Sequence, residues 1–139
     1  MNTAVADLAE LRSLPLLTGL DDEGLRRVSA MAVELDIPAG QVLVHAGDPG
    51  SGLFVILAGT AVVEARGETM IEVGPGEFVG ELALLVPEAT RSARVRAKSD
   101  VRCLAIFAAD FESLLEQEPR IAVAMLPVLA KRLWHARTG

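Results

Sequence analysis

Apolar positions recur at two periods along this chain, and the switch between them divides it. Near the N-terminus Val5, Leu8 and Leu11 fall at helical spacing, SLPLL interrupts the pattern, and GLDDEGLRRVSAM restores it. Two short helices joined by a proline-containing turn are predicted. Asp21 is placed to cap the second, with Asp22 and Glu23 at the positive end of its dipole and Leu20 and Leu25 able to pack across the cap.

From about residue 33, turn signals at Pro38 to Gly40, Gly47 to Gly50, Gly59, Gly67 and Gly74 to Gly76 recur at roughly eight to twelve residues, as in a β-sandwich or barrel. The runs between them, QVLVHA, LFVILA, TAVVEA and MIEV, are apolar and β-branched and read as strands; SARVRAKS and VRCLAIFA supply two more. The helical period returns near Ala109. ADFESLLEQE groups Phe111, Leu114 and Leu115, with Asp110 as candidate cap, and Pro119 suits the first turn of a last helix. There Ala122, Leu126, Leu129 and Leu133 form the predicted apolar stripe, Lys131, Arg132 and Arg137 sit near the negative end of the dipole, and Pro127 is expected to kink or restart the helix.

Composition narrows the class. A chain of 139 residues suits one domain, able to bury roughly two-thirds of its unfolded surface. The expected layout is a single domain over 1–139, helical over 1–33, strands over 34–108 and helices over 109–137. A formal net charge of −6 argues against non-specific nucleic-acid binding, and we expect no direct DNA-binding region. The longest apolar stretch, IAVAMLPVLA, contains a proline and is about half the roughly 20 residues a bilayer span needs, so no membrane span is expected. MNTAVADLAELR does not resemble a secretion signal, and a single cysteine excludes an internal disulfide; a cytoplasmic setting is expected.

Candidate chemistry concentrates in FVGELALLVPEATRSARV, residues 78–95. Gly80 permits a bend, and Glu81 to Leu85 can form a short helix whose leading N–H groups favour an anion. Glu81 cannot be that anion and is better suited to accept from a ligand hydroxyl. Period-two alternation places Arg91 with Ala93, Val95 and Ala97 facing inward, and Ser92, Arg94, Arg96 and Lys98 outward. An inward guanidinium calls for an anion, and its fork fits a phosphate. The pair therefore points to a small ligand carrying a phosphate and a vicinal hydroxyl.

This stretch resembles the phosphate-binding cassette of the cyclic-nucleotide-binding domain family. The cassette stands here as Val79-Gly80-Glu81-Leu82-Ala83-Leu84 followed by Arg91-Ser92-Ala93. A second family pattern matches at Leu43-Val44-x-x-Gly47-Asp48-x-Gly50-x-x-Leu53-Phe54-Val55-Ile56-x-x-Gly59, and the resemblance covers about residues 10 to 135. It implies an α+β fold, an antiparallel β-roll or jelly-roll barrel with N-terminal helices, a short cassette helix and C-terminal lid helices. It further implies Glu81 on the ribose 2′-hydroxyl and Arg91 on the cyclic phosphate. The backbone N–H groups of Gly80, Leu82 and Ala93 and the Ser92 hydroxyl would complete the phosphate site, with Ala83 in the cassette helix. Ser92 conflicts with regular alternation unless the strand begins one residue later.

Several readings stay open on the residues alone. The family position of Ser92 tracks base choice; Ser helps cyclic GMP in some members, yet bacterial activators with Ser bind cyclic AMP, which is favoured here. Trp134 lies where family members often cap the base, but packing against the barrel or the N-terminal helices competes. Arg94, Arg96, Lys98 and Arg102 form a basic patch read as a solvated sheet face. Cys103 reads as a small buried hydrophobe. His45 and His135 lack a third ligand, which argues against a cupin-type metal enzyme, and no nucleophile or metal cluster accompanies Glu81. The expectation is a binding module, not an enzyme, needing no cofactor beyond its ligand and acting through an unknown protein effector or fused effector domain. The alternative is a degenerate member that binds no nucleotide and serves as a dimerisation domain, a homodimer forming through the last helix.

Overall fold

The computed structural model describes residues 7–44, 52–65, 68–86 and 94–138. The N-terminal part is α1 (Leu8–Ser13), a 3₁₀ turn (Pro15–Leu17) and α2 (Asp22–Met31). Asp21 caps α2 by accepting from the Gly24 N–H at 2.9 Å, and Leu20 and Leu25 are both buried beside it. There follow β1 (Val33–Ile37), β2 (Val42–Val44), β3 (Gly52–Ala58), β4 (Ala61–Ala65), β5 (Glu68–Val73), β6 (Phe78–Val79), α3 (Glu81–Leu85), β7 (Arg94–Ala97) and β8 (Val101–Phe107). Helices α4 (Ala108–Gln117) and α5 (Pro119–Thr138) close the fold.

The strands pair antiparallel in two four-stranded sheets, ordered β1-β8-β3-β6 and β2-β7-β4-β5. This is the β-roll with flanking helices that the sequence led us to expect, built as two packed sheets. Period two explains why β3 and β8 are apolar on both faces. Leu53 and Val55 of β3, with Leu104 and Ile106 of β8, face the helices and join Leu11, Leu17, Leu25, Val28, Phe111, Leu114 and Ile121. Phe54 and Ile56, with Cys103 and Ala105, face the other sheet and meet Ala61, Val73, Val95 and Ala97. The first sheet is thus the central layer, and anything carried at its edge is held by two cores.

The sequence reading needs adjustment in several places. Strand β1, VELDI, was absent from the strand set because Glu34 and Asp36 dilute its apolar signal; Leu35 and Ile37 nonetheless pack against the inter-sheet core. Helix α4 starts at Ala108 without a side-chain cap, which leaves Asp110 in its first turn. Helix α5 runs unbroken through Pro127, so the proline does not restart it. Its buried face also differs from the expected stripe: Ile121 and Met125 are buried while Leu126 and Leu133 are 63% and 61% exposed. IAVAMLPVLA is apolar nearly all round, so the period alone cannot choose a face.

Candidate functional site

The cassette begins at the edge of the central layer. Strand β6 pairs with β3 through Phe78 opposite Val55 and Val79 opposite Phe54, and both β6 side chains are buried. Gly80 then turns the chain with φ +94°, and a Cβ there would stand 2.2 Å from the Gly52 carbonyl oxygen. Only glycine permits both the left-handed conformation and that close backbone approach. Helix α3 starts at the next residue, so the position of Glu81 is dictated by the β6 edge.

Glu81 is the one charged or polar residue buried among the described residues, at 6% exposure. Burying a carboxylate demands a partner, and α5 provides it. Arg132 Nη1 donates to Glu81 Oε2 at 2.8 Å, Nη2 donates to the Phe78 carbonyl oxygen at 2.6 Å, and the guanidinium carbon lies 4.7 Å from the centre of the Phe78 ring. Sequence reasoning missed this role, because a cation near the end of a helix is already accounted for by the dipole. The signal lay in spacing: Ile121, Met125, Val128 and Arg132 follow one another at four, three and four, so Arg132 continues the face that packs on the core. A carboxylate holding a guanidinium keeps acceptor capacity for a further donor, such as a hydroxyl.

Arg91, Ser92 and Ala93 lie outside the described residues, as do the side chains of Leu82 and Ala83. Beyond them β7 has Val95 and Ala97 buried, matching the expected alternation. On its other face Arg94 and Arg96 share Glu64, at 3.0 and 2.8 Å. Hydrogen bonds from Arg96 first, then Arg94, pull the Glu64 carboxyl down to about 2. Lys98 pairs with Glu72 at 2.7 Å, and Arg102 with Glu10 and Glu34. Every cation of the expected basic patch is therefore neutralised by a carboxylate of the chain.

Other candidate residues fall away from this centre. Trp134 is 66% exposed on α5 instead of packed into the core. Cys103 is fully buried, and desolvation, helped by the Asp36 and Glu34 charges, pushes its thiol up to about 12. His45 lies outside the described residues and His135 is exposed. Among the described residues no group of three or more metal-ligating side chains occurs, and no helix is long and apolar enough to cross a membrane.

Comparison with known proteins agrees with this geometry. The profile of the cyclic nucleotide-binding domain matches residues 34–118. An uncharacterised NTE family protein of Mycobacterium tuberculosis is 35% identical over 128 residues, 91% of this chain but 22% of its own length. The crystal structure of Thermus thermophilus catabolite activator protein superposes with TM-score 0.74 at 31% identity, over 88% of this chain and 60% of that one. A regulatory subunit of a cAMP-independent protein kinase A from Trypanosoma brucei gives TM-score 0.81 at 25% identity, over 94% and 47%. The chain thus spans less than two-thirds of each of these relatives. With the matched profile covering the strands, the Gly80 turn and Glu81, the chain belongs to the cyclic nucleotide-binding domain family.

Proposed function

We propose that this chain is a regulatory sensor module that binds a cyclic nucleotide, with cyclic AMP favoured over cyclic GMP, and signals by repositioning α4 and α5. The observation that carries the reading is the buried carboxylate of Glu81, directly after the Gly80 turn in the family's motif and tied to α5. In this reading Glu81 accepts from the ribose 2′-hydroxyl. Arg91 pairs with the cyclic phosphate, helped by the N–H groups of Gly80, Leu82 and Ala93 and by the Ser92 hydroxyl. A cation at Arg91 overrides an overall charge of −6 because the ligand meets the local field. In this reading Trp134, exposed on α5, caps the base. Binding shifts a population of α5 positions already present, and no metal or further cofactor takes part.

The output lies in an unknown effector, fused or separate, as fits relatives several times longer than this chain. The solvent face of α5, with Val123, Leu126 and Leu133 exposed, supports a homodimer as the vehicle of that output. Calorimetric titration with cyclic AMP and cyclic GMP, with mass measured in solution, tests the reading. Saturable binding of either nucleotide supports it, a tighter constant for cyclic AMP supports the preference, and a folded protein that binds neither overturns it.

A further inference from the structure

The 3₁₀ turn, the turn from β5 into β6 and the middle of α5 meet around a cleft of about 190 Å³. Its inner end is apolar, with Leu16 and Phe78 at 3% and 2% exposure. Ala124 and Val128 of α5 form one wall, and Pro75 and Glu77, both exposed, stand at the mouth. A gap larger than a water molecule is uncommon in a packed fold and calls for a reason. Here the walls are short and stiff. Pro15 and Pro75 have rings fixed to the backbone, and Gly76 and Ala124 have no side chain able to reach across. The turn is tied to the central layer: the Gly76 N–H donates to the Ile56 carbonyl and the Ile56 N–H to the Glu77 carbonyl, both at 2.8 Å. Pro15 already abuts it, since a Cβ at Gly76 would stand 3.3 Å from the Pro15 Cδ. Helix α5 is pinned on either side of Val128, by buried Met125 and by the Arg132 ion pair. The cleft is therefore preformed, and an occupant need order little of the chain to enter it.

Glu77 is the only charged side chain of the lining. Its Oε1 accepts from the Gly74 N–H at 2.8 Å, which fixes the carboxylate at the mouth and leaves it acceptor capacity. An apolar end with a fixed anion at its entrance matches a cation carried on an apolar body. Size sets the scale of that body, because a cavity of about 150 Å³ already holds benzene. We infer that this cleft is a second ligand site, for a small organic ammonium ion with an apolar body about the size of one aromatic ring: the body rests on Leu16 and Phe78 and the ammonium meets Glu77. Neither Glu81 nor Arg91 takes part, so the site is independent of the nucleotide reading. One wall belongs to α5, so the occupant favours the seated helix.

The test follows the methyl resonances of Leu16, Ala124 and Val128 in the whole chain, at neutral pH and low salt, as benzylammonium, benzyl alcohol and benzoate are titrated in turn. Benzylammonium should shift all three saturably at about millimolar concentration, the range open to a ligand of so few atoms. Benzyl alcohol, of the same shape, should bind about two- to fivefold more weakly, as fits one ion pair at a solvent-facing mouth, and benzoate more weakly still. Glu77→Gln keeps an acceptor for the Gly74 N–H and should bring benzylammonium to the affinity of the alcohol. Ala124→Leu should fill the cleft and abolish the shifts at Leu16 and Val128. Should that variant not fold, the three titrations and Glu77→Gln still decide. The inference is overturned by shifts that do not saturate, by a neutral or anionic probe that binds as tightly as the cation, by a Glu77→Gln protein that keeps the preference, or by a folded Ala124→Leu protein that still binds. Cyclic AMP titrated separately tests the cassette, so the two readings fail apart.

Discussion

Arg132 on α5 and Glu81 on α3 are 51 positions apart in sequence and 2.8 Å apart in space, each with little access to water. This pair joins the last helix to the first residue of the cassette helix. Removing the cation alone strands a buried charge, which in comparable pairs costs about 3 to 5 kcal/mol. Because Arg132 keeps some solvent access, Arg132→Ala is expected at or just below the bottom of that range, about 2 to 3 kcal/mol, read from the urea unfolding midpoint. Replacing both members, Glu81→Leu with Arg132→Met, should recover much of that stability and none of the ligand binding.

Arg91→Ala should leave folding intact and weaken cyclic-nucleotide binding by about 2 to 4 kcal/mol, roughly 30- to 1000-fold, through lost charge-assisted contacts to phosphate. Glu81→Gln should weaken it by about 1 to 2 kcal/mol. Calorimetry on both proteins checks the order, and unchanged affinity in a folded Arg91→Ala protein would remove the phosphate assignment.

Two glycines with similar backbone angles should respond very differently to alanine. Gly80, at φ +94°, has the Gly52 carbonyl oxygen 2.2 Å from where the methyl would sit; Gly40, at φ +89°, has nothing within 4 Å. Gly40→Ala should cost about 1 kcal/mol, from the left-handed conformation alone. Gly80→Ala adds a backbone collision that only movement of β6 can relieve, and should cost at least about 3 kcal/mol. Thermal unfolding of the two variants side by side gives the comparison.

Acid should weaken the second sheet through Glu64. Its carboxyl, ordinarily near 4.5, is held at about 2 in the folded chain by Arg96 and Arg94. A depressed folded value means a stabilising contribution present above 4.5 and lost as pH falls through 4.5 toward 2. In Glu64→Gln this part of the acid dependence should disappear. Urea midpoints collected through that window, for both proteins, measure it.

Burial pushes the Cys103 thiol up to about 12, so the reactive thiolate is scarce at neutral pH. A water-soluble disulfide reagent should leave the folded protein unlabelled and titrate one thiol after denaturation. Rapid labelling of the native chain would contradict the burial described here.

The sequence exposed the cassette clearly because its constraints are local: a glycine forced by backbone geometry, a carboxylate at once after it, and a guanidinium at a fixed spacing each leave a mark on single positions. The strands were legible where both faces are apolar, as in β3 and β8. They were not legible in β6, two residues long and defined by pairing with Phe54 and Val55. The face of α5 was hidden for the opposite reason. Leu126 and Leu133 satisfy a helical stripe as well as Ile121 and Met125 do, and only contacts with parts of the chain far away in sequence, the helix-facing core and Glu81, separate the two solutions. Ion pairs across long separations leave no periodic trace, so the neutralised patch around Glu64 also emerged only in three dimensions.

The buried face of α5 changes chemistry along its length, from Ile121 and Met125 at one end to the Arg132 ion pair at the other. Two fastenings of different physical origin therefore hold one helix. Cooling weakens the proximal apolar contacts and spares the charged end, which is buried enough that salt screens it only weakly. The two ends of the helix should thus answer to different perturbations, the root to temperature and the tip to removal of either charge in the Arg132–Glu81 pair.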